Sequence, residues 1–221
     1  MTSLVDLERE EIMNIVLKEI VKRRKEERLL DHISKTLESG KIYRLQCCDR
    51  VVSQTLMNAI CGLEVLDSGG IYINGELVQK GIAPAKNIGK MIGEPTFILG
   101  YTGMENLQAI ASVHQCVTDQ GIRKAMEMVG LNPDDSGKYG TYSDEKRKLL
   151  GIASAVMENP DIVMIDEPVE GLSEMYRKKI EALILAQKSR GALCIIACQK
   201  HLELDKMSDE VIQISQGRLI I

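Results

Sequence analysis

The stretch Ile162-Val163-Met164-Ile165-Asp166-Glu167-Pro168 decides the fold. Its four apolar residues read as a strand of a parallel sheet, buried on both faces. The strand stops abruptly at two carboxylates and a proline, which cannot donate to a sheet ladder.

Downstream of this strand, taken as 161–165, the pattern alternates between helix (174–189), strand (193–198), helix (201–207) and strand (210–215). That alternation predicts a parallel sheet wound with helices. Upstream, Ile42-Tyr43-Arg44-Leu45 reads as a short strand, and Thr55 to Ile60 begins a helix with Gly62 at its C-cap. Asp67-Ser68-Gly69-Gly70 reads as a turn, and Ile71 to Glu76 as a strand with a hairpin turn. Ile12 to Val21 fits a helix or a strand equally well by periodicity. Between Glu105 and Met157 the pattern is helical, with pieces at Glu105–Cys116, Asp119–Val129 and Ser143–Met157 broken by Gly130 to Gly137.

Length and composition bound the function. A chain of 221 residues suits one α/β domain with a sizeable core. With 44% hydrophobic and 27% charged residues and a net charge of −4, nothing in the charge calls for nucleic acid or a membrane surface. No apolar run is long enough to span a bilayer and the N-terminus is acidic, so a cytoplasmic location is expected. The six cysteines lack a disulfide framework and are expected to be reduced. Cys194 and Cys198 share a strand face, which fits buried apolar packing or a soft-metal or redox cluster.

Several segments, taken in order, carry a family resemblance. They are Leu30-Asp31-His32-Ile33-Ser34, Gly40-Lys41-Ile42-Tyr43, Leu56 to Leu63 and Asp67 to Gly75. Thr102 to Leu107, Gly151-Ile152-Ala153, Asn159-Pro160-Asp161 and Asp166-Glu167-Pro168 with Gly171-Leu172 complete the series. With these, roughly residues 12 to 221 resemble the ATPase subunits of ABC transporters, especially the bacterial branch that exports or confers immunity to peptide antibiotics.

The resemblance implies an α/β fold, a P-loop-NTPase-like ABC ATPase domain with a mainly parallel sheet, an N-terminal antiparallel β portion and a helical subdomain. Residues 1–221 would form one domain, with 1–92 and 159–221 as the α/β core and 93–158 as the helical subdomain. The family ligands are ATP and magnesium. Asp166 matches the residue that holds magnesium through water, and Glu167 the one that polarises the attacking water.

The chain departs from the family where phosphate is bound. A Walker A loop, G-x-x-x-x-G-K-[ST], wraps backbone N–H groups round phosphates. Here Cys47, Arg50 and Val52 stand at glycine positions, Ser53 at the lysine, Gln54 at the magnesium hydroxyl and Thr55 after it, with Asp49 adding negative charge. Arg50 and the helix N-terminus remain as a weak anion attraction. The signature motif is reduced to Ser143 in Tyr142-Ser143-Asp144-Glu145-Lys146, which also reads as an N-cap with acids in the first turn. Gly93 or Glu94 falls at the Q-loop, Ser173 replaces an aspartate, and Gln199 replaces the switch histidine with His201 two residues on. No aromatic stands in Lys22 to Lys25, where adenine would stack.

ATP and magnesium binding are therefore expected to be weak or absent. The expectation is a pseudo-ATPase acting as a binding, regulatory or scaffold subunit in peptide export or immunity, with an active ATPase of atypical site as the alternative. Expected partners are a membrane permease, met through a groove near Gly93 to Met104 that includes Phe97, or an intact ATPase subunit, or a second copy in a homodimer. In that case the chain sits at the inner face of the membrane through the permease, without a span of its own. Phe97 could face that groove or the interior.

Overall fold

The computed structural model describes residues 13–79, 88–114, 117–199 and 202–220. The residues 162–166 form strand β7 (Ile162–Asp166), in which every residue is buried, one register step from the expected 161–165. β7 lies inside a six-stranded sheet with β3 (Ile42–Cys47), β6 (Ile88–Met91), β8 (Leu193–Ala197), β9 (Glu210–Ser215) and β10 (Arg218–Ile220), in the order β10-β9-β3-β8-β7-β6. Every pairing is parallel except that of β10 with β9.

Successive side chains of a strand point to opposite faces, so this sheet feeds two cores. Val163, Ile165, Cys194, Ile196 and Cys198 enter one core with helices α2 (Gly103–His114), α3 (Asp119–Val129), α4 (Asp144–Val156) and α5 (Glu174–Ser189). Ile162, Met164, Leu193, Ile195 and Ala197 enter the other, with helix α1 (Arg50–Ile60). The second core is closed by a separate antiparallel sheet of β1 (Asn14–Arg24), β2 (Glu27–Glu38), β4 (Ser68–Ile73) and β5 (Glu76–Leu77), in the order β2-β1-β4-β5. The α/β architecture with a mainly parallel sheet, an N-terminal antiparallel portion and a helical group is thus present.

Several boundaries move. The ambiguous segment after Ile12 is strand β1, because β2 and β4 pair along both of its edges. Ser68 to Gly70 belong to β4 and not to a turn, and Asn74-Gly75 makes the turn into β5. Helix α1 starts at Arg50, five residues before Thr55, under an Asp49 N-cap, and Cys61 rather than Gly62 is its C-cap. β6 and β10 were not anticipated. In place of a helix at 201–207 a 3₁₀ turn spans Leu202–Lys206, and Lys200 and His201 lie outside the described residues. So does Cys116, at the expected end of the helix now seen as Gly103–His114.

Capping explains the helices whose bounds matched. Thr118 Oγ1 accepts the Gly121 N–H at the head of α3, and Ser143 Oγ accepts the Lys146 N–H at the head of α4, each 3.3 Å long. α4 packs tightly on β6: a Cβ at Gly89 would overlap the carbonyl of Ala155 and the ring of Pro160.

Candidate functional site

The carboxyl ends of β3, β7 and β8 lie side by side, since Asp166 pairs with Ala197 and Leu45 with Ala197 across the ladder. Sites in wound α/β sheets form outside these ends. Only Cys48 and Asp49 separate β3 from α1. The Asp49 backbone is extended, its Oδ1 accepts the Val51 N–H at 2.8 Å, and its carbonyl accepts the Val52 N–H at 3.1 Å. Two of the leading N–H groups of the helix, those of Val51 and Val52, are therefore engaged by its own cap.

Of the residues matched to the Walker A loop, three reach the site. Arg50 Nε donates to Asp166 Oδ2 at 3.0 Å and Gln54 Nε2 donates to the same oxygen at 2.7 Å. Asp49 holds the helix end. Ser53 is buried and donates to the Arg50 carbonyl at 2.9 Å, and Thr55 is buried in α1, so neither side chain faces the carboxylates. The weak anion attraction expected of Arg50 is replaced by an ion pair within the chain.

Asp166 is 1% exposed. A third donor, the Gly93 N–H, meets its Oδ2 at 3.3 Å, from a backbone in the left-handed region (φ 74°) that favours glycine. Its Oδ1 is buried without a hydrogen-bond partner among the described residues. Burial by itself lowers the pKa of Arg50, but the hydrogen bond to Asp166 and the charges of Asp166, Glu167 and Glu170 raise it on balance. The guanidinium stays charged.

Glu167 is buried and adopts φ 49°, a conformation that costs a non-glycine residue about 1–2 kcal/mol. Its neighbours hold it there: its N–H donates to the Ala197 carbonyl at 2.8 Å, and its Oε1 accepts the Gln199 N–H at 3.1 Å. Gln199 thus meets Glu167 through its backbone. Lys148 of α4 donates to the carbonyls of Glu167 and Glu170 at 3.1 and 2.5 Å. Ser143 stays at the head of α4 as its cap, and Glu145 accepts the Ser173 N–H at 2.7 Å, tying that helix end to the loop before α5. His201 lies outside the described residues.

The segment at 93–104 borders a cavity of about 270 Å³ lined by Lys90, Ile92, Glu94, Pro95 and Phe97 from one side and Ile110 and Ser154 from the other. Phe97 is half-buried: it lines this cavity and packs edge-on against Tyr139, with ring centroids 5.2 Å apart. Tyr139 and Asn106 pin the loop, the tyrosine hydroxyl donating to the Pro95 carbonyl at 2.7 Å and the Asn106 amide bonding both the N–H and the carbonyl of Ile98. Ile98, Leu99 and Tyr101 remain exposed on it.

The cysteines divide by burial. Burial pushes the thiols of Cys47 and Cys194 up to about 12 and that of Cys61 up to about 11. This opposes the activated thiol that a redox reading requires. Among the described residues, no three His, Cys, Asp or Glu side chains are grouped to hold a metal ion.

Two residues at or near the site, Arg44 and Lys148, were missed by sequence reasoning, and so was the role of Arg50 and Gln54 as donors to Asp166. For Arg44 a signal existed, a single cation between the apolar Tyr43 and Leu45 of β3. For the others none did, because their partners are distant in sequence.

Comparison with known proteins places this geometry. Residues 54–170 match the family model described as ABC transporter. An uncharacterized ABC transporter ATP-binding protein, YybJ of Bacillus subtilis, is 30% identical over 200 residues, covering 90% of this chain and 92% of the relative. The bacitracin transport ATP-binding protein BcrA of Enterococcus faecalis is 27% identical over 203 residues, and the match spans 91% of this chain but 66% of that longer protein. A dimeric bacterial ABC transporter cassette superposes with a TM-score of 0.84 at 18% identity, covering 94% of this chain and 97% of the cassette. The wound sheet ending in Asp166-Glu167, the antiparallel sheet beside it and these matches together make the chain a member of the ABC transporter family, as an ATP-binding domain.

Proposed function

We propose that this chain serves a peptide-antibiotic export or immunity system as a subunit that binds partners and does not hydrolyse ATP. The observation that carries this reading is the start of α1 at Arg50 under the Asp49 cap. Phosphate is held in this family by an open, glycine-rich arch of N–H groups. Here the arch is helix, the Val51 and Val52 N–H groups are bonded to Asp49, and the Asp49 carboxylate brings negative charge to the loop matched to the phosphate site. The residues present do not fit a magnesium nucleotide held in that manner.

The other end of the reading is the head of α4. Glu145 is spent on the Ser173 N–H, and Asp144 and Glu145 bring negative charge to a helix terminus that would otherwise favour phosphate. Both elements that would contact nucleotide are thus closed by this chain's own side chains.

The bacitracin transport relative supports the peptide-antibiotic assignment. The partner surface we infer is the pinned loop with Ile98, Leu99 and Tyr101 exposed beside the Phe97 cavity, suited to an apolar segment of a permease. The same reading keeps the chain in the cytoplasm at the inner face of the membrane. No described helix is long and apolar enough to cross one. An intact ATPase subunit or a second copy is the partner for pairing, as in the dimeric cassette.

Titration of labelled ATP with and without magnesium is the test. The expected result is no saturable binding below roughly millimolar concentration. Micromolar binding that Asp166→Asn or Glu167→Gln alters would overturn this reading in favour of an ATPase with an atypical site.

A further inference from the structure

We propose that Arg50 is an internal cation, its guanidinium neutralising Asp166 where a divalent metal would otherwise bind, so that this site is built to work without metal. The inference deepens the reading above and rests on it in one respect, that no phosphate competes for Arg50.

A carboxylate as buried as Asp166 cannot stay ionised and uncompensated, because removing an ion from water costs several kcal/mol. Metal-binding folds supply the compensation with an ion from solution. This chain supplies it with a side chain of its own. Arg50 Nε, Gln54 Nε2 and the Gly93 N–H converge on Oδ2 at 3.0, 2.7 and 3.3 Å, which fills that oxygen with two donors from α1 and one from the loop at Gly93. A metal ion approaching Oδ2 meets a fixed positive charge and would have to displace all three donors. Oδ1 is sealed from solvent with no hydrogen-bond partner among the described residues, so it offers no open path.

The side chains responsible occupy neighbouring positions on one helix. Arg50 and Gln54 are four residues apart in α1 and therefore share a face, and that face is turned to the end of β7. The side chain of Arg50 is 38% exposed against 1% for Asp166, so the guanidinium sits between the carboxylate and solvent, like a plug. A residue pair chosen only to stabilise the helix would have no reason to aim both donors at one buried oxygen.

Removing the plug should create a cation site, and that is the experiment. The purified full chain is followed by thermal unfolding and by Mn²⁺ electron paramagnetic resonance, in EDTA and with Mn²⁺ or Mg²⁺. Wild type is expected to show the same midpoint in all solutions and no bound Mn²⁺. Arg50→Ala/Gln54→Ser is expected to lose about 10 °C in EDTA, to recover part of it with metal, and to hold about one Mn²⁺ per chain. Adding Asp166→Asn should abolish the Mn²⁺ signal.

Wild type that binds Mn²⁺ as the variant does, or a variant that binds none, would overturn the proposal. Should the first variant fail to fold, Arg50→Met/Asp166→Asn provides the second measurement. Removing both charges must restore the midpoint that Arg50→Met alone loses, and additive losses would overturn the pairing. ATP hydrolysis assayed with Mg²⁺ separates the two readings. ATP hydrolysis by the wild type with Mg²⁺ would end the non-hydrolytic assignment, whereas the Mn²⁺ and unfolding results alone decide whether Arg50 is the internal cation.

Discussion

The guanidinium of Arg44, fully buried in the central strand β3, is paired with the carboxylate of Asp205 in the 3₁₀ turn that precedes β9. Its Nη2 also donates to the Cys198 carbonyl at 3.1 Å, while its Nε finds no hydrogen-bond partner among the described residues. The pair anchors the end of β8, and with it Gln199, whose N–H meets Glu167. Leaving one member of a buried pair alone is costly. Arg44→Ala should therefore lower unfolding stability by about 3–5 kcal/mol, with Asp205→Asn, at a half-exposed position, costing less. The apolar double variant Arg44→Met/Asp205→Leu should recover most of the loss. Urea unfolding of the three variants checks the order.

Asp31 predicts a pH response. The Arg218 hydrogen bond, then that of His32, outweighs burial and, with the charges of Arg218 and Arg28, lowers its pKa from 3.8 to about 2. A carboxylate with a folded pKa below its unfolded value stabilises the fold above the unfolded value and loses that contribution as pH falls through the folded one. Wild type should thus lose stability relative to Asp31→Asn between about pH 4 and pH 2, and the two should respond in parallel at higher pH. The thermal midpoint measured across that range decides it.

Gly89 lets α4 approach β6, and no side chain can replace it without moving backbone. A Cβ there would strike the Ala155 carbonyl and Pro160. Gly89→Ala should cost about 2–4 kcal/mol, in contrast to the small effect expected at Gly40, where a Cβ meets nothing. Gly40 itself has φ 71°, so its variant still carries a strain of about 1 kcal/mol.

Thiol labelling should separate the cysteines by exposure. Cys48 is exposed, whereas Cys47, Cys61 and Cys194 are buried with raised pKa values. In the native chain at pH 8 a disulfide reagent should react rapidly at Cys48, and Cys48→Ser should remove one fast-reacting thiol. Persistence of the full fast phase would contradict this exposure.

The parts of the fold that were legible share one property: their signal is local. The buried run of β7, the Ser143 cap and the Asn74-Gly75 turn are decided within a few residues, by period and by hydrogen bonds to near neighbours. The site was legible as a list of positions, because Asp166, Glu167 and the altered loop stand at recognisable spacing. What those side chains do was not legible. The Arg50–Asp166 bond joins residues 116 apart in sequence, and nothing near Arg50 indicates that its charge turns inward.

By itself the sequence determined that the chain is an α/β protein with the order of elements of an ABC ATP-binding domain, since periodicity, caps and motif order survive wherever the chain is placed. Tertiary structure alone decided three things. The residues after Ile12 are strand because β2 and β4 pair with both edges of β1. Helix α1 begins at Arg50, where the Asp49 cap coincides with a buried counter-charge for the arginine. A charged Arg44 is tolerated in the core because Asp205 and the Cys198 carbonyl compensate it. In each case the choice is settled by desolvation and pairing across space, and the order of residues does not name the partner.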